Sequence, residues 1–444
     1  MALSGLDIYK LLPKTNCKEC GFATCLAFAM AMAQKKVPLD KCPTVSAEAK
    51  LALESASQPP IKLVTIGTGD TKLEMGNETV MFRHEQKFFH PTGIGILVED
   101  TLGDAELRSR MEKIGKLVFE RVGLTIRPEL VCIKNSSRSK DKFVNSVKIV
   151  ASLTSLNLAL FTGDQAAVDE ALTVIAPRRP LVIWSGEGNI EAFIDIAKKH
   201  KTPLAITSND LDEAAKLTDL VKKAGVEEIV LNFKDRSQSE RIQDITYARR
   251  SALKKGFRAL GYPAMAFTDE TDPGLELCEA VSYVSKYAGL VIIKNCEKEF
   301  LFPLLVTRQD IYTDPQKPVQ VTPKIYEIGK VNSSSPVIVT TNFSITYFTV
   351  AGEVEESKVP TFIICCDAEG MSVLTAWAAD KFSAERITDT LKRSGIEQMV
   401  THRKIIIPGY VSVLSGKLEE VSGWKVLVGP REASGIPGFL RGWK

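Results

Sequence analysis

The sequence predicts an α/β protein in three parts: a cysteine-rich N-terminal segment, a central (β/α)8 TIM barrel and a C-terminal Rossmann-like α/β domain. Three observations predict this order. Four cysteines occur within the first 42 residues, eight apolar strand-like runs then alternate with helical stretches, and four more such runs follow a proline-marked stretch at 315–323. The predicted domain boundaries are 1–58, 61–318 and 325–444, and 444 residues are enough for several hydrophobic cores.

The four N-terminal cysteines follow the spacing C-x2-C-x4-C-x16-C and are Cys17, Cys20, Cys25 and Cys42, with a proline directly after the last. Four thiolates in one short segment supply four sulfur ligands and compensate much of the iron charge of a [4Fe-4S] cluster. Gly21 lets the backbone pass close to such a cluster because it has no Cβ. Zinc and disulfides are the competing interpretations, but zinc ribbons usually pair two C-x2-C turns and only one occurs here. The spacing therefore predicts a [4Fe-4S] site.

The rest of the N-terminal segment is predicted to contain two helices and a linker. Leu26 to Ala33 is an apolar run that indicates a buried helix, which ends before Pro38. A short helix is predicted at 47–55, and small polar residues with two prolines at 56–60 indicate a linker. A Pro-Pro step stiffens the chain locally but packs poorly, so our hypothesis is that the first segment moves as a unit.

The barrel is predicted from eight apolar runs between Ile61 and about Pro318. Parallel strands covered by crossover helices give continuous apolar runs, and eight such units in sequence indicate a closed barrel, with a doubly wound open sheet as the alternative. Two earlier runs, 61–66 and 79–82, are expected to form a hairpin that closes the barrel floor. The predicted strands are Gly93 to Val98, Leu130 to Ile133, Leu156 to Phe161, Pro180 to Trp184, Pro203 to Thr207, Glu228 to Asn232, Ala264 to Phe267 and Leu290 to Ile293.

The C-terminal block is predicted to be a small α/β sheet with helices on its faces. Its strands are expected at Val337 to Thr341, Thr361 to Cys366, Lys404 to Ile407 and Lys425 to Val428. Its helices are expected at Ser344 to Glu356, Met371 to Lys381, Ala384 to Ser394 and Tyr410 to Val421.

Small and polar residues collect where these C-terminal strands end, at 340–346, 367–372, 408–410 and 429–435. Open α/β sheets bind ligands at the carboxyl ends of their strands, so these segments are candidate binding loops. The phosphate-binding motifs G-x-x-x-x-G-K-[ST] and G-x-G-x-x-G are both missing from the sequence. The alternative is that these residues only make turns.

Charge and hydropathy argue against two classes of partner. The formal net charge is +3 without a long basic run, which predicts no nucleic-acid partner. No apolar stretch approaches membrane-spanning length and residues 1–10 lack the layout of a secretion signal, so no membrane partner and a cytoplasmic location are expected. The other five cysteines are expected to be mostly reduced core residues: Cys132, Cys278, Cys296, Cys365 and Cys366.

The barrel sequence contains no constellation that predicts catalysis. Several polar residues follow its strands, where barrel enzymes place their chemistry, but such residues also cap helices or lie on a solvated rim. We interpret them as caps or rim residues: Asp70, Asn77, Glu99, Asn209, Asp210, Asn232 and Asp269.

Residues 14–29, KTNCKECGFATCLAFA, resemble the cluster motif of the large (gamma) subunit of the corrinoid iron-sulfur protein of the reductive acetyl-CoA (Wood-Ljungdahl) pathway. Similar cluster domains occur in some electron-transfer subunits, but the order of cluster segment, barrel and α/β block is similar to this family over essentially the whole chain. The resemblance implies an N-terminal [4Fe-4S] cluster domain, a TIM barrel and a Rossmann-like corrinoid-binding domain.

The resemblance further implies a methyl-group carrier, a corrinoid component of a methyltransferase system rather than a stand-alone enzyme. A base-off cobamide would accept a methyl group from methyltetrahydrofolate through a methyltransferase and deliver it to the nickel cluster of acetyl-CoA synthase. The [4Fe-4S] cluster would reactivate Co(II) to Co(I). The implied partners are the small (delta) subunit in a heterodimer, the methyltransferase and acetyl-CoA synthase/CO dehydrogenase, with the barrel as a docking scaffold.

Histidine placement is compatible with this expectation. Many cobalamin-dependent methyl carriers hold cobalt through D-x-H-x-x-G, and His84, His90, His200 and His402 all lie outside such a motif, so we expect no histidine ligand on cobalt. The cobamide contacts expected by position in the family are Thr340, Thr346, Gly370, Met371, Ser372, Val373 and Ala433, followed by Asn342, Ser344, Gly409 and Gly435.

Three neighbouring residues carry separate expectations. Thr375 either approaches the cobalt face or packs in the core, whereas Trp377 and Phe382 are expected in the core.

Two other classes of protein stay open on the residues alone: an electron-transfer protein without a corrinoid, and a zinc-stabilised interaction scaffold.

Overall fold

The computed structural model describes residues 5–33, 36–46, 49–50, 53, 59–83, 85, 88–313 and 318–443. The chain divides into two compact units: residues 1–119 with 126–312, and residues 120–125 with 313–444. No helix within the described ranges is both long and apolar enough to cross a membrane. The predicted helix at 47–55 and the linker residues 56–58 lie largely outside the described residues.

The described part of the N-terminal segment includes the helices α1 (Gly5–Leu11) and α2 (Cys25–Ala33) and a 3-10 turn at Leu39–Lys41. The predicted helix at Leu26 to Ala33 is therefore confirmed. Phe28 and Ala29 on α2 are fully buried, and they share a small hydrophobic core with Ile8, Leu12, Cys25, Cys42 and Leu53.

The barrel is closed by eight parallel strands, which confirms the predicted closure and excludes the open sheet. The observed strands are β3 (Gly93–Glu99), β6 (Leu130–Lys134), β7 (Asn157–Thr162), β8 (Leu181–Trp184), β9 (Leu204–Ser208), β10 (Ile229–Phe233), β11 (Ala264–Phe267) and β12 (Ala288–Ile293). The helices around them are α3 (Asp104–Gly115), α4 (Lys140–Leu153), α5 (Gln165–Ile175), α6 (Ile190–His200), α7 (Leu211–Lys223), α8 (Gln238–Lys255), α9 (Pro273–Ser285) and α10 (Lys298–Tyr312). Alternate strand residues such as Cys132, Ile183 and Val230 fill the interior, so the barrel is a packed core.

A short hairpin closes one end of the barrel, as expected, but one of its strands was wrongly assigned. β1 (Val64–Ile66) pairs antiparallel with β2 (Leu73–Met75) rather than with residues 79–82. Leu73 and Met75 are buried and join the cluster that fills the barrel interior. Gly76 and Asn77 take positive φ values, so the chain turns immediately after β2. A 3-10 turn at Gly69–Thr71 connects β1 to β2, which makes the hairpin shorter than the sequence indicates.

The Pro59-Pro60 step packs on the barrel, contrary to the expectation that it packs poorly. Arg258 donates a hydrogen bond to the carbonyl of Pro59 at 2.7 Å. Lys62 N–H donates to the carbonyl of Gly261 at 2.9 Å, which fixes the chain on the same side. Proline carbonyls remain good acceptors even though the residue has no N–H, so a Pro-Pro step can be anchored by a long arginine.

The C-terminal sheet has five strands in the order β13-β15-β14-β16-β17, with four parallel strands and an antiparallel edge strand. The strands are β13 (Ile325–Ile328), β14 (Val337–Thr341), β15 (Thr361–Cys366), β16 (Lys404–Ile407) and β17 (Lys425–Val428). The helices are α11 (Ser344–Ser357), α12 (Val373–Ala378), α13 (Ala384–Ser394), α14 (Ile396–Met399), α15 (Ser415–Ser422) and α16 (Ile436–Arg441). One hydrophobic cluster covers each face of the sheet, as in a doubly wound domain.

Three C-terminal predictions need correction. The helix expected at 371–381 spans only α12, and the one expected at 410–421 begins as a 3-10 segment, Gly409–Leu414, before α15. Strand β13 and helix α16 were not predicted. A two-strand hairpin, β4 (Phe119–Arg121) and β5 (Leu124–Ile126), was also missed, and its residues 120–125 group with the C-terminal unit.

The core predictions for individual aromatic and cysteine side chains are mostly confirmed. Phe382 is fully buried, but Trp377 is 42% exposed, so the core prediction for Trp377 is wrong. Burial raises the pKa of Cys365 and of Cys366 to about 12, so both stay protonated thiols in the core. Cys132 and Cys296 are also buried, whereas Cys278 is exposed on α9.

Candidate functional site

The four N-terminal cysteines lie in and around one small core. Cys25 and Cys42 are 6% and 5% exposed, Cys20 is half-buried against the same core, and Cys17 is exposed. Thr44 Oγ1 lies 3.7 Å from the Cys42 sulfur, and the Thr44 side chain also hydrogen-bonds to Cys17. Thr44 is therefore a shared neighbour of the first and last cysteines of the motif.

The loop before α2 is tightly coiled around these cysteines. Lys14, Asn16 and Lys18 take positive φ values, which L residues adopt only when local contacts hold them. The Asn16 side chain provides one such contact, because its Oδ1 accepts a hydrogen bond from the N–H of Cys25 at 2.8 Å. The backbone N–H of Glu19 hydrogen-bonds to the Cys17 sulfur and is the largest cause of the lowered pKa of Cys17, ahead of the Thr15 hydroxyl.

The donor set of this segment is made of thiols. Among the described residues, no three or more His, Cys, Asp or Glu side chains are gathered closely enough to hold a metal ion. Cys20, Cys25 and Cys42 nevertheless border one core, Cys17 shares the neighbour Thr44 with Cys42, and four soft sulfur donors fit an iron-sulfur cluster or zinc.

A second candidate site is a cavity of about 260 Å³ at the carboxyl edge of the C-terminal sheet. Its walls are mainly apolar and come from the ends of β14 and β16, from α11 and from α16, with Ile338, Val350, Ile406, Ile436 and Leu440 prominent. Four of the predicted contact residues line it: Thr340, Thr346, Val373 and Ala433. The structure therefore brings residues from three separate predicted loops to one cavity.

Three buried hydroxyls beside this edge have no hydrogen-bond partner within the described structure. They belong to Thr340 and Thr341 at the end of β14 and to Ser344 at the start of α11. These side chains are at most 1% exposed. A buried hydroxyl without a partner is costly, and Thr340 lines the cavity, so its hydroxyl is available to a polar group of a ligand there.

The side chain of Asn342 holds the loops of the site together. Its side-chain oxygen accepts hydrogen bonds from the N–H groups of Ala368 (2.9 Å) and Gly370 (3.1 Å). Its side-chain nitrogen donates to Gln320 (2.9 Å) and to Asp367 (3.2 Å). The connecting segment is tied to the same loop, since Val321 N–H donates to the carbonyl of Asn342.

We expect Asn342→Leu to destabilise this loop by about 2–5 kcal/mol, because it leaves two buried N–H groups without acceptors. Amide hydrogen exchange measured by mass spectrometry should become much faster across residues 367–372. Gln398→Leu, at an exposed position on α14, is the matched control and should leave that exchange unchanged. Equal protection in both variants would contradict the role given to Asn342.

The loop at 370–375 leads into α12. Gly370 has a φ of +72°, which favours glycine at this turn. Met371 packs against the core, and Ser372 is the N-cap residue of α12. The Ser372 and Thr375 hydroxyls lie 3.0 Å apart, and Thr375 is exposed, which rules out its core placement.

Gly409 and Gly435 serve the packing of the site's loops. A Cβ on Gly409 would lie 2.6 Å from the carbonyl oxygen of Gly429, and one on Gly435 would lie 2.8 Å from Cβ of Pro430. Gly409 N–H donates to the carbonyl of Pro430 at 3.0 Å. Gly409 therefore allows the 408–410 and 429–435 loops to touch, and Gly435 allows the 429–435 loop to fold closely on itself.

An exposed apolar rim borders the cavity, and sequence reasoning missed it. Ile345 is 67% exposed, and Leu374, Trp377, Tyr410 and Val413 follow on α12 and the 409–414 segment. The α16 wall was missed too, because IPGFLR is too short to show helical periodicity.

Histidines lie away from this edge in the described structure. His402 precedes β16, at the opposite end of the strands, where it hydrogen-bonds to the carbonyl of Ser335 at 2.9 Å. His90 and His200 belong to the barrel unit, where each faces a carboxylate.

The cap interpretation of the barrel's polar residues is confirmed at α7. Asp210 accepts a hydrogen bond from the N–H of Glu213 at 2.8 Å, and the Asn209 side chain donates to Glu213. Asn232 is buried and donates to Thr207 at 2.9 Å. The remaining four form ion pairs or lie in turns: Glu99, Asp269, Asp70 and Asn77.

The chain consists of a four-cysteine segment, a closed barrel and a Rossmann-like domain with a ligand-sized cavity. These parts define a multidomain α/β binding protein. The family model for the CO dehydrogenase/acetyl-CoA synthase delta subunit matches residues 63–440, and a model for an Fe-S cluster segment matches residues 12–44. The chain belongs to the family of corrinoid/iron-sulfur protein large subunits and acetyl-CoA decarbonylase/synthase gamma subunits.

The similarity to relatives covers the whole length. The corrinoid/iron-sulfur protein large subunit of Moorella thermoacetica is 47% identical over 99% of both chains. The acetyl-CoA decarbonylase/synthase complex subunit gamma of Methanothermobacter thermautotrophicus is 34% identical, again over 99% of both chains. Among solved structures, a dihydropteroate synthase of Vibrio fischeri ES114 aligns with 57% of this chain and 100% of its own, at 11% identity and a TM-score of 0.40, from which no conclusion follows.

Proposed function

We propose that this chain is the corrinoid-binding and cluster-binding subunit of a methyl carrier in the acetyl-CoA pathway. The observation that carries the proposal is the apolar cavity at the carboxyl edge of the C-terminal sheet, whose lining includes the buried hydroxyl of Thr340, which has no partner within the described structure. Full-length similarity to a protein whose name includes both a corrinoid and iron-sulfur supports the same assignment. The supporting domain division is 1–58 for the cluster, 61–318 for the barrel and 325–444 for the corrinoid.

The residues proposed to hold a [4Fe-4S] cluster are Cys17, Cys20, Cys25 and Cys42. Support comes from their all-sulfur donor set and from the small core that Cys25 and Cys42 join. Cys17 is exposed, so an electron donor can approach the cluster from its side.

The residues proposed to hold the cobamide surround the C-terminal cavity. The hydroxyls of Thr340, Thr346 and Ser344 would pair with the amide arms of the ring, because they offer donors at the sheet edge. The apolar cavity would receive the detached lower base, since its walls offer packing to a flat aromatic group. His402 lies at the opposite edge of the sheet, which supports a base-off cobamide without a histidine ligand.

When bound, the cobamide supplies the cobalt centre that takes a methyl group from methyltetrahydrofolate through a methyltransferase and passes it to acetyl-CoA synthase, and the cluster supplies the electron that returns Co(II) to Co(I). The chain's own residues bind, orient and shield these groups. The exposed rim of Ile345, Leu374, Trp377, Tyr410 and Val413 is the proposed contact for the small (delta) subunit, because an exposed apolar patch marks an interaction surface.

Metal analysis of the anaerobically purified protein tests this proposal. About four iron atoms and one cobalt per chain are expected, together with a corrinoid absorption spectrum. Iron without cobalt would instead identify an electron-transfer protein, and zinc in a colourless sample would identify an interaction scaffold. Either of these results would overturn the proposal.

A further inference from the structure

The barrel has a cleft of its own, of about 670 Å³, at the carboxyl end of its strands. The loops that follow β6, β7, β8 and β10 form its walls. Barrel proteins place their ligand sites at this end. The cleft lies wholly within the barrel unit, and the proposed corrinoid and cluster residues are not among its lining residues.

Three cations line this cleft: Lys134, Arg138 and Lys234. Arg138 and Lys234 have no carboxylate within 4.0 Å among the described residues, and Lys134 is 3.9 Å from Glu99. Of the two carboxylates in the lining, Asp164 is engaged as the N-cap of α5, where it accepts hydrogen bonds from two backbone N–H groups. The lining therefore carries three cations against two carboxylates, and two of the cations have no carboxylate partner among the described residues.

Neutral donors of the cleft are also available to a ligand. Thr162 is only 4% exposed, and its oxygen accepts from the Asn135 side chain (3.1 Å) and from the N–H of Asp164 (3.0 Å), which leaves its own proton to donate. The buried Ser136 hydroxyl has no partner within the described structure. A hydroxyl with a free proton and a second hydroxyl without a partner beside unpaired cations fit an anionic acceptor.

Local backbone and helix geometry strengthen the positive potential. A Cβ on Gly186 would lie 2.8 Å from Nζ of Lys234, so this glycine, at a φ of +84°, lets the lysine cross the loop into the cleft. Helices α4, α5, α6 and α8 follow the four strands whose loops line the cleft, so their N-termini point their partial positive charges toward it.

We propose that this cleft binds a small organic anion through carboxylate or phosphate oxygens, held by Lys234, Arg138 and Lys134 and by the hydroxyls of Thr162 and Ser136. Two or more charge-assisted hydrogen bonds would orient the anion, and the stacked rings of Phe161 and Phe267, 4.9 Å apart, offer an apolar surface beside it. The barrel would then carry a ligand site independent of the methyl carrier chemistry.

Isothermal titration calorimetry on the full-length protein tests this inference, with inorganic phosphate and citrate as separate probes at constant ionic strength. If phosphate binds saturably, the ligand is a phosphate ester. If citrate binds saturably, the ligand is a carboxylate. If both bind, the cleft is a shared site for either kind of anion. Lys234→Ala should weaken binding at least about tenfold, and Lys234→Arg should keep most of it.

Lys223→Ala, at an exposed position at the end of α7, is the matched control and should bind as the unmodified protein does. Circular dichroism and iron content should be unchanged in all three variants, which separates this test from that of the methyl carrier function. The inference is overturned if neither anion binds saturably, or if Lys234→Ala binds as tightly as Lys223→Ala.

Discussion

Replacing Cys42 with alanine is expected to remove the iron from this protein, from about four atoms per chain to none, while the barrel and the C-terminal sheet stay folded. Cys42 is buried beside Cys25 in a core to which the described residues contribute seven buried side chains. A core of that size cannot support a fold without a cross-link or metal, so cluster loss should also unfold the N-terminal segment. Alanine is chosen because a serine oxygen can still ligate iron.

Iron analysis and limited proteolysis measure this effect. The N-terminal segment should become sensitive to protease, and cleavage should stop near Pro59, where the chain is anchored on the barrel. Cys278→Ala is the matched control, since Cys278 is exposed on α9 and lies outside the motif. Full iron content in Cys42→Ala would show that the fourth ligand is another residue.

Thr346→Trp is expected to abolish corrinoid binding by filling the C-terminal cavity. Thr346 lies in the first turn of α11 and lines the cavity, so an indole at this position would occupy the space proposed for the lower base. A flat aromatic group buries about 150 Å². At about 25 cal/mol per Å², losing that burial costs about 4 kcal/mol, or about a thousandfold in affinity.

Cobalt content and a cobamide titration followed by absorbance measure this loss. Thr401→Trp provides the control, because Thr401 is exposed near the opposite ends of the same strands. Iron should remain at its normal level in both variants. A Thr346→Trp protein that retains its cobalt would place the lower base outside the cavity.

The barrel could be predicted because its signal is repeated eight times. Each strand is a continuous apolar run such as Leu130 to Ile133, and each is followed by a helix of at least eleven residues, so small boundary errors did not change the topology. Elements without repetition were missed. β2 has three residues with a glutamate in the middle, and α16 has six residues. These segments are too short to show the two-residue period of a strand or the 3.6-residue period of a helix.

The sequence could predict which strand ends carry the candidate site residues, but it could not predict which of these residues face the cavity and which shape the loops. Thr340 lies near the end of one predicted strand and Ala433 follows another, so both are expected at the same edge of the sheet. The same rule could not separate them from Asn342 and Gly409, which shape the loops instead. Trp377 was misplaced because an aromatic residue in a helix suggests a core position, whereas exposed aromatics are a property of surfaces that meet partners.

The hydrogen bonds around Asn342 give the connector into the C-terminal domain a mechanical role. Gln320 and Val321 hydrogen-bond to Asn342, and Ser344 N–H donates to the carbonyl of Val319. The segment that enters the domain is therefore hydrogen-bonded directly to the loop at the carboxyl edge of the sheet. Because Asn342 also accepts a hydrogen bond from Gly370 N–H, a movement of this segment would affect the loop at Gly370 before the rest of the sheet. The segment that enters the domain is thus fixed at the carboxyl edge of the sheet, and a displacement of residues 319–321 would act directly on the loop that contains Asn342.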